Sequence, residues 1–279
     1  MKSSSSPIQE HYSRDRVFER IMAQLREQGI NTDQLTRKVL AGVDEFHVRG
    51  AEVSLELAEQ IALDNKTKVL DVGCGIGGPA RMLADDFGCG VTGIDITEEY
   101  IRTAKLLSES VGLYELTEFF QGDATKLPFE DNTFDVVWTQ HVQMNIEDKS
   151  QMYSEIYRVL KPNGAFIYYD IFSPDHDPIL FPVPWAEDPS LSFLITPFEL
   201  AEQLESLGLA LSNIKDQTQT GIIFFANAFH RIEKESPPKI GPHFLMGASA
   251  GQKLKNVLMN LTEGKIMLQS GLYRKEEMG

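Results

Sequence analysis

The residues best placed to do chemistry begin in one decapeptide, Val69-Leu70-Asp71-Val72-Gly73-Cys74-Gly75-Ile76-Gly77-Gly78. An apolar run ends in a carboxylate and breaks into glycines, and a helical stretch follows from Pro79. Glycines at such a turn let the backbone approach a ligand closely. A second carboxylate, Asp95, closes the next apolar run, where it can accept both hydroxyls of a ribose. Gln121-Gly122-Asp123-Ala124 ends the run after that, where an acidic side chain and a backbone amide can read an adenine edge. Together these pieces describe a pocket for a nucleoside-bearing cofactor at the end of a parallel sheet.

Gly73, Gly75 and Gly78 spell G-x-G-x-x-G, so a nicotinamide or flavin dinucleotide has to be weighed. Asp71 opposes it. Two residues before the first glycine, its carboxylate would face a pyrophosphate at close range. The same carboxylate suits a cation, such as a sulfonium carrying an α-amino group. Asp95 serves either ligand.

The elements that must position these groups alternate. Strands are predicted at Val69–Val72, Val91–Asp95, Glu118–Gln121, Phe134–Thr139 and Ala165–Ile171, with a turn at Lys161–Gly164. Helices are predicted to Phe87, from a Thr97 cap to Val111, over Lys149–Leu160, and from Thr196 to Leu207. Leu209–Ile214 and Gly221–Phe229 are the last apolar runs. The pattern is α/β: a Rossmann-like, doubly wound sheet with helices on both faces. Residues 1–50 read as a tail and helical cap, with one apolar face over Gln9–Gln28 and a charged link at Asp44–Gly50. Residues 51–232 form the core, with a proline-rich lid at 173–195, and 233–279 a helical extension beyond Pro237-Pro238.

With 279 residues, 42% of them apolar, the chain can bury a sizeable core. A formal net charge of -15 argues against nucleic acid and against an anionic membrane surface. No apolar run approaches a membrane span, and the opening Met1–Pro7 lacks a secretion signal's apolar core. Cys74 and Cys89 supply neither a disulfide framework nor a zinc site, which fits a reducing cytoplasm. No metal is expected.

In order, Val69–Ala84, Gly93-Ile94-Asp95, Gly122-Asp123-Ala124, Leu127–Val137 and Arg158–Gly164 resemble the successive motifs of class I S-adenosylmethionine-dependent methyltransferases. Asp44–His47, Gln140–Asn145, Phe181–Ala186 and Asn260–Gly264 are similar to the sarcosine/dimethylglycine methyltransferase-like group. The resemblance implies a seven-stranded, mostly parallel sheet with an antiparallel last strand, for which Gly221–Phe229 is the candidate. It implies S-adenosyl-L-methionine as cofactor, leaving as S-adenosyl-L-homocysteine, with Asp71, Gly73 and Gly75 at the methionine part and Asp95 at the ribose. Asp123 and Ala124 would flank adenine, and Ile96 and Gln140 complete the expected donor set.

The implied partner is a small-molecule acceptor, with no nucleic acid and no membrane insertion, and a homodimer is compatible with the C-terminal apolar stripe. N-methylation of an amino acid or amine is the favoured chemistry. C- or O-methylation of a lipid-like or natural-product acceptor is the alternative, with Phe181, Phe193, Leu194 and Phe244 as an apolar lining. Outside the class stand a nucleotide-binding oxidoreductase and a non-catalytic donor-binding protein. His141 reads either as a general base or acceptor contact, or as a hydrogen-bonded strand end. Gln143 joins it as a catalytic candidate. Asn145 either holds an acceptor or fixes the loop. Trp185 is the acceptor-pocket aromatic, weighed against plain lid packing. His47 and Arg49 close over the donor, grip an acceptor carboxylate, or are solvated linker charges. Trp138 reads as core, Tyr12 as a reach from the N-terminal helix or a surface residue, and only one of Tyr168 and Tyr169 can point to the pocket.

Overall fold

A computed structural model describes residues 16–234, 241 and 243–277. Tyr12, the Met1–Pro7 tail, the Pro237-Pro238 link and the Phe244 side chain lie outside the described residues.

Six of the seven strands, β1 to β6, run in one direction because each of the first five is followed by a helix that returns the chain to the sheet's starting edge, or by a long crossover. In chain order the elements are α1 (Val17–Glu27), α2 (Arg37–Asp44), α3 (Ala51–Ala58), β1 (Lys68–Val72), α4 (Gly78–Phe87), β2 (Gly90–Asp95) and α5 (Glu98–Ser110). Then come β3 (Thr117–Gln121), β4 (Phe134–Gln140), α6 (Lys149–Val159), β5 (Leu160–Phe172), α7 (Pro197–Ser206), β6 (Leu209–Asp216) and α8 (Thr218–Lys234). The short α9 (His243–Met246), α10 (Ala250–Thr262) and β7 (Met267–Lys275) complete the series. The seven strands lie in the order β3-β2-β1-β4-β5-β7-β6, and β7 runs antiparallel to both neighbours.

The sheet is covered on both faces. Val69, Val136, Trp138, Ile167 and Leu268 pack beneath α3, α4, α8 and α10, while Leu70, Val137, Phe166 and Tyr168 pack beneath α6 and α7. Double coverage explains why the central strands are apolar throughout. Strand order reverses beside β1, which lies between β2 and β4, so the crevice past their carboxyl ends is where a ligand site forms in such sheets.

The antiparallel strand is not where the sequence suggested. Gly221–Phe229 is helical, inside α8, and the C-terminal segment expected as a helical extension forms the helix α10 and then also supplies β7. Gly221 N donates to Gln217 O at 2.9 Å and Thr218 N to Asp216 Oδ1 at 2.8 Å, bonds that start a helix directly after β6. Thr97 is a smaller correction. Its side chain makes no cap; its amide donates to Asp95 Oδ1 at 2.8 Å. By contrast α7 opens on a complete capping box, Thr196 Oγ1 with Glu199 N (3.1 Å) and Glu199 Oε2 with Thr196 N (2.7 Å).

Candidate functional site

The glycine turn is held by the neighbouring strand. Gly73 and Cys74 donate to Ile94 O at 2.8 and 3.1 Å, and Gly75 donates to Asp95 Oδ2 at 3.0 Å. Gly73 has φ 72, and a Cβ there would lie 2.4 Å from a Val142 methyl. A Cβ on Gly78 would fall 1.7 Å from the Asp44 carbonyl oxygen. Only glycine admits both close approaches. Around the turn, Gly122 donates to Asp95 O at 3.0 Å and Gln121 Nε2 to Ile96 O at 3.2 Å, so the ends of β2 and β3 form one ledge. Asp123, exposed on that ledge, accepts from the Thr125 amide at 2.8 Å, and Ala124 packs beside it.

Asp71 is the electrostatic centre. Its carboxylate is 2% exposed and its Oδ2 has no hydrogen-bond partner. Burial, then the Asp95 and Glu45 charges, push it up to about 8. Glu45, buried beside it, is raised to about 7 by burial and Asp44, against a hydrogen bond from Ser54 Oγ at 3.3 Å. Buried carboxylates with such shifts are what a cationic ligand would relieve.

Asp44–Gly50, expected as a charged link, is a buried strap across this site. Burial follows from partners far away in sequence. Asp44 pairs with fully buried Arg81 at 2.5 and 3.2 Å, and Arg81 also donates to Ala104 O. Arg49 is 6% exposed and satisfied by Glu52 (2.8 Å), Glu56 (2.5 Å) and Gln217 (3.0 Å). It is therefore engaged by the chain itself rather than presented to an acceptor carboxylate. His47 Nε2 lies 3.0 Å from both Gly50 O and Ser54 Oγ, and burial lowers its pKa to about 4, so the ring is neutral.

The turn after β4 forms the opposite wall. Gln140 closes the strand between Trp138 Nε1 (2.9 Å) and Ser54 Oγ (3.2 Å), and Trp138 is core. His141 sits at φ 53, and its Nε2 accepts from Val48 N at 3.2 Å. That bond places the ring's proton on Nδ1, which is buried without a partner. Burial and His47 hold its pKa well below the ordinary value, so at neutral pH His141 offers an N–H, not a lone pair. Tyr169 is the tyrosine facing this side. Its ring centroid lies 4.9 Å from that of His141, and its hydroxyl has no partner. Tyr168 instead bonds Gln269 Oε1 at 2.6 Å on the far face. Gln143 Nε2 donates to Ile171 O at 2.5 Å, leaving buried Oε1 unpartnered.

Asn145 and Trp185 hold the lid. Asn145 Nδ2 donates to Trp185 O (2.8 Å) and Leu191 O (3.1 Å). Trp185 is 1% exposed, with Nε1 on Ser192 Oγ at 2.9 Å, so it packs inside the lid instead of facing a pocket. From the other side α10 grips the lid: Asn260 exchanges bonds with the Leu180 amide and carbonyl, Asn256 donates to Pro182 O, and Lys253 pairs with Glu187. Sequence reasoning missed Glu45, Ser54, Lys149 and Asp170. Asp170 alone carried a signal, a charge inside an otherwise apolar strand.

The sheet order is that of a Rossmann-like, doubly wound domain, and residues 70–168 match the family model described as a methyltransferase domain. A 114-residue stretch, 41% of this chain, is 44% identical to a sterol 24-C-methyltransferase of Gibberella zeae, of which it spans 30%. A 119-residue stretch, 43% of this chain, is 36% identical to a glycine/sarcosine/dimethylglycine N-methyltransferase of Actinopolyspora halophila, of which it spans 21%. The chain thus matches less than two-fifths of the length of these curated relatives. Its fold superimposes on a geranyl diphosphate C-methyltransferase from Streptomyces coelicolor, solved with S-adenosyl-L-homocysteine, at TM-score 0.70 and 14% identity, covering 98% of this chain and 99% of that one. Among the described residues no helix is long and apolar enough to cross a membrane, and no His/Cys/Asp/Glu group is arranged to hold a metal.

Proposed function

We propose that the protein transfers a methyl group from S-adenosylmethionine to a small-molecule acceptor. The observation that carries this is the unpartnered Asp71 oxygen, buried and coupled to Glu45 and Asp95, beside a glycine turn that no larger residue could form. The residues fit the group: Asp71 and Glu45 would face its positive charge, Gly73 and Gly75 its methionine part, and Asp95 its ribose. Ile96, Asp123 and Ala124 would flank adenine, with Gln140 at the edge. When bound, S-adenosylmethionine supplies a methyl group already activated on sulfur, so the remaining work is to hold an acceptor in line and exclude water.

On the acceptor side the chain offers the His141 Nδ1–H, the Gln143 carbonyl oxygen and the Tyr169 hydroxyl. His141 is then an orienting donor, and the base role falls to Glu45, a carboxylate near neutrality that can take a proton from an amine. An amine acceptor is favoured, because the surrounding groups are carboxylates and neutral rings. The amino-acid version is weaker, since Arg49 is already paired. C-methylation of a lipid-like acceptor is the second reading, supported by half-buried Phe181, Leu191 and Leu194 of the lid and by the sterol-acting relative.

Calorimetric titration with S-adenosylmethionine tests the donor. Release of S-adenosylhomocysteine across amines, amino acids, phenols and unsaturated lipids then sorts the acceptors. Release with amines alone supports the favoured reading, and release with alkenes alone supports the second. The absence of donor binding would overturn both.

A further inference from the structure

Asp170 is a charge in a strand of apolar and aromatic side chains. The pleat sets it on the face of Phe166, Tyr168 and Phe172, away from Tyr169, where it is buried. Its Oδ2 accepts from the amides of Val142 and Gln143, both at 3.2 Å, and its Oδ1 from its neighbour Ile171 at 3.0 Å. The residue just before them, His141, donates its amide to Tyr169 O at 2.8 Å from the left-handed region. Three successive amides of the turn are therefore held by β5, two of them by one carboxylate. A non-glycine residue in that region is strained and persists only where its surroundings over-determine it.

The far end of the same turn is held by a second buried charge. Lys149, the first residue of α6, donates to Ile146 O at 2.6 Å and to Phe193 O in the lid. Phe193 N returns a bond to Met144 O at 2.8 Å. Burial raises the Asp170 carboxyl to about 7 against the pull of the three amides and of Lys149, and lowers Lys149 to about 8. Asp170 is faced by Lys149 and Tyr153 from α6 and by Tyr168 and Tyr169 of its own strand, and Lys149 is also under the Glu199 charge.

We propose that Asp170 and Lys149 are positioning residues that fix the His141–Ile146 turn from its two ends and, through Phe193, dock the lid onto it. The catalytic meaning rests on reading that turn as the acceptor wall; the positioning itself does not. A hydrogen bond to a charged group is stronger than one to a neutral group, so removing the charge should loosen the turn without moving the glycine loop.

The test is hydrogen–deuterium exchange on the full, ligand-free chain. In Asp170→Asn, the Val142 and Gln143 amides should exchange roughly ten- to a hundredfold faster, with residues 189–195 following and residues 72–95 unchanged. Unchanged protection of the turn in the folded variant would overturn the proposal. If the variant does not fold, the wild-type chain decides. Corrected for intrinsic amide chemistry, exchange of the Val142 and Gln143 amides, which Asp170 holds, should quicken as pH falls from 7.5 to 6, where Lys149 keeps its charge, and a flat profile at these two amides overturns the proposal. Calorimetry with S-adenosylhomocysteine runs alongside. Its failure on wild type would sink the methyltransferase reading and leave the exchange result standing.

Discussion

The two walls of the site are made by different means. The wall proposed for the donor is local: Gly73, Cys74, Gly75 and Thr97 are all bonded to Ile94 or Asp95, within one βαβ unit. The wall proposed for the acceptor is assembled from afar. Its turn, residues 141–146, is tied to Val48, Asp170, Trp185, Leu191 and Phe193, mostly by bonds between side chain and backbone. A wall built from one contiguous unit can be kept while a wall built from scattered segments is changed. Such a division lets one donor serve many acceptors.

The sharpest way to break this contrast is at the joint between the walls, the Asp44–Arg81 pair. Arg81→Met leaves a buried carboxylate unpaired and should cost about 3–5 kcal/mol of stability by urea denaturation, with both walls failing together. Loss of lid protection alone would show that the strap belongs to one side only. Asp95→Ala acts within the donor wall. Donor affinity should fall by about 1.5–3 kcal/mol in calorimetry, with protection of the 141–146 turn intact. Unchanged affinity would misplace the ribose.

Acidity separates the walls next. Asp71 holds its proton more tightly folded, at about 8, than unfolded, so the stability this contributes is complete below the unfolded carboxylate value and lost as pH rises through 8. The free protein should melt higher at pH 6.5 than at 8.5. A cationic ligand prefers ionised Asp71, so donor affinity should weaken below pH 8, by at most about tenfold per unit, with protons released on binding. Proton uptake in buffers of different ionisation enthalpy would contradict this. The smallest effect is expected from Trp185→Phe, which loses the Ser192 bond and should cost about 0.5–1.5 kcal/mol in thermal unfolding. A raised acceptor KM at unchanged stability would restore Trp185 as an acceptor contact.

The same contrast governs what could be read from residue order. The glycine turn, Asp95 and the five parallel strands are written in consecutive residues, and the alternation exposes them. The Thr196 helix start was equally local. Gly221–Phe229 misled because Ile-Ile-Phe-Phe suits a strand as well as a helix. The true seventh strand hides its apolar pattern behind Gln269, Ser270 and Gly271, where a Cβ on Gly271 would strike the Tyr168 ring at 2.5 Å. Arg49 and Asp44 looked solvated because Gln217 and Arg81, which bury them, are distant in sequence. Asn145 and Trp185 were noticed by type, but their partners exist only once the lid has folded.

Placing β7 between β5 and β6 also sets a timetable for synthesis. Phe172 ends β5 and Met267 begins β7, so roughly 95 residues must be translated before the outer edge of β5 meets its partner. At about 5–20 residues per second, the nascent sheet carries a bare edge for roughly 5–19 seconds. β6 leaves the ribosome in that interval with nothing to pair with, since its ladder partner is β7. The newborn chain is thus most open to mispairing with its neighbours on a polysome until β7 has emerged.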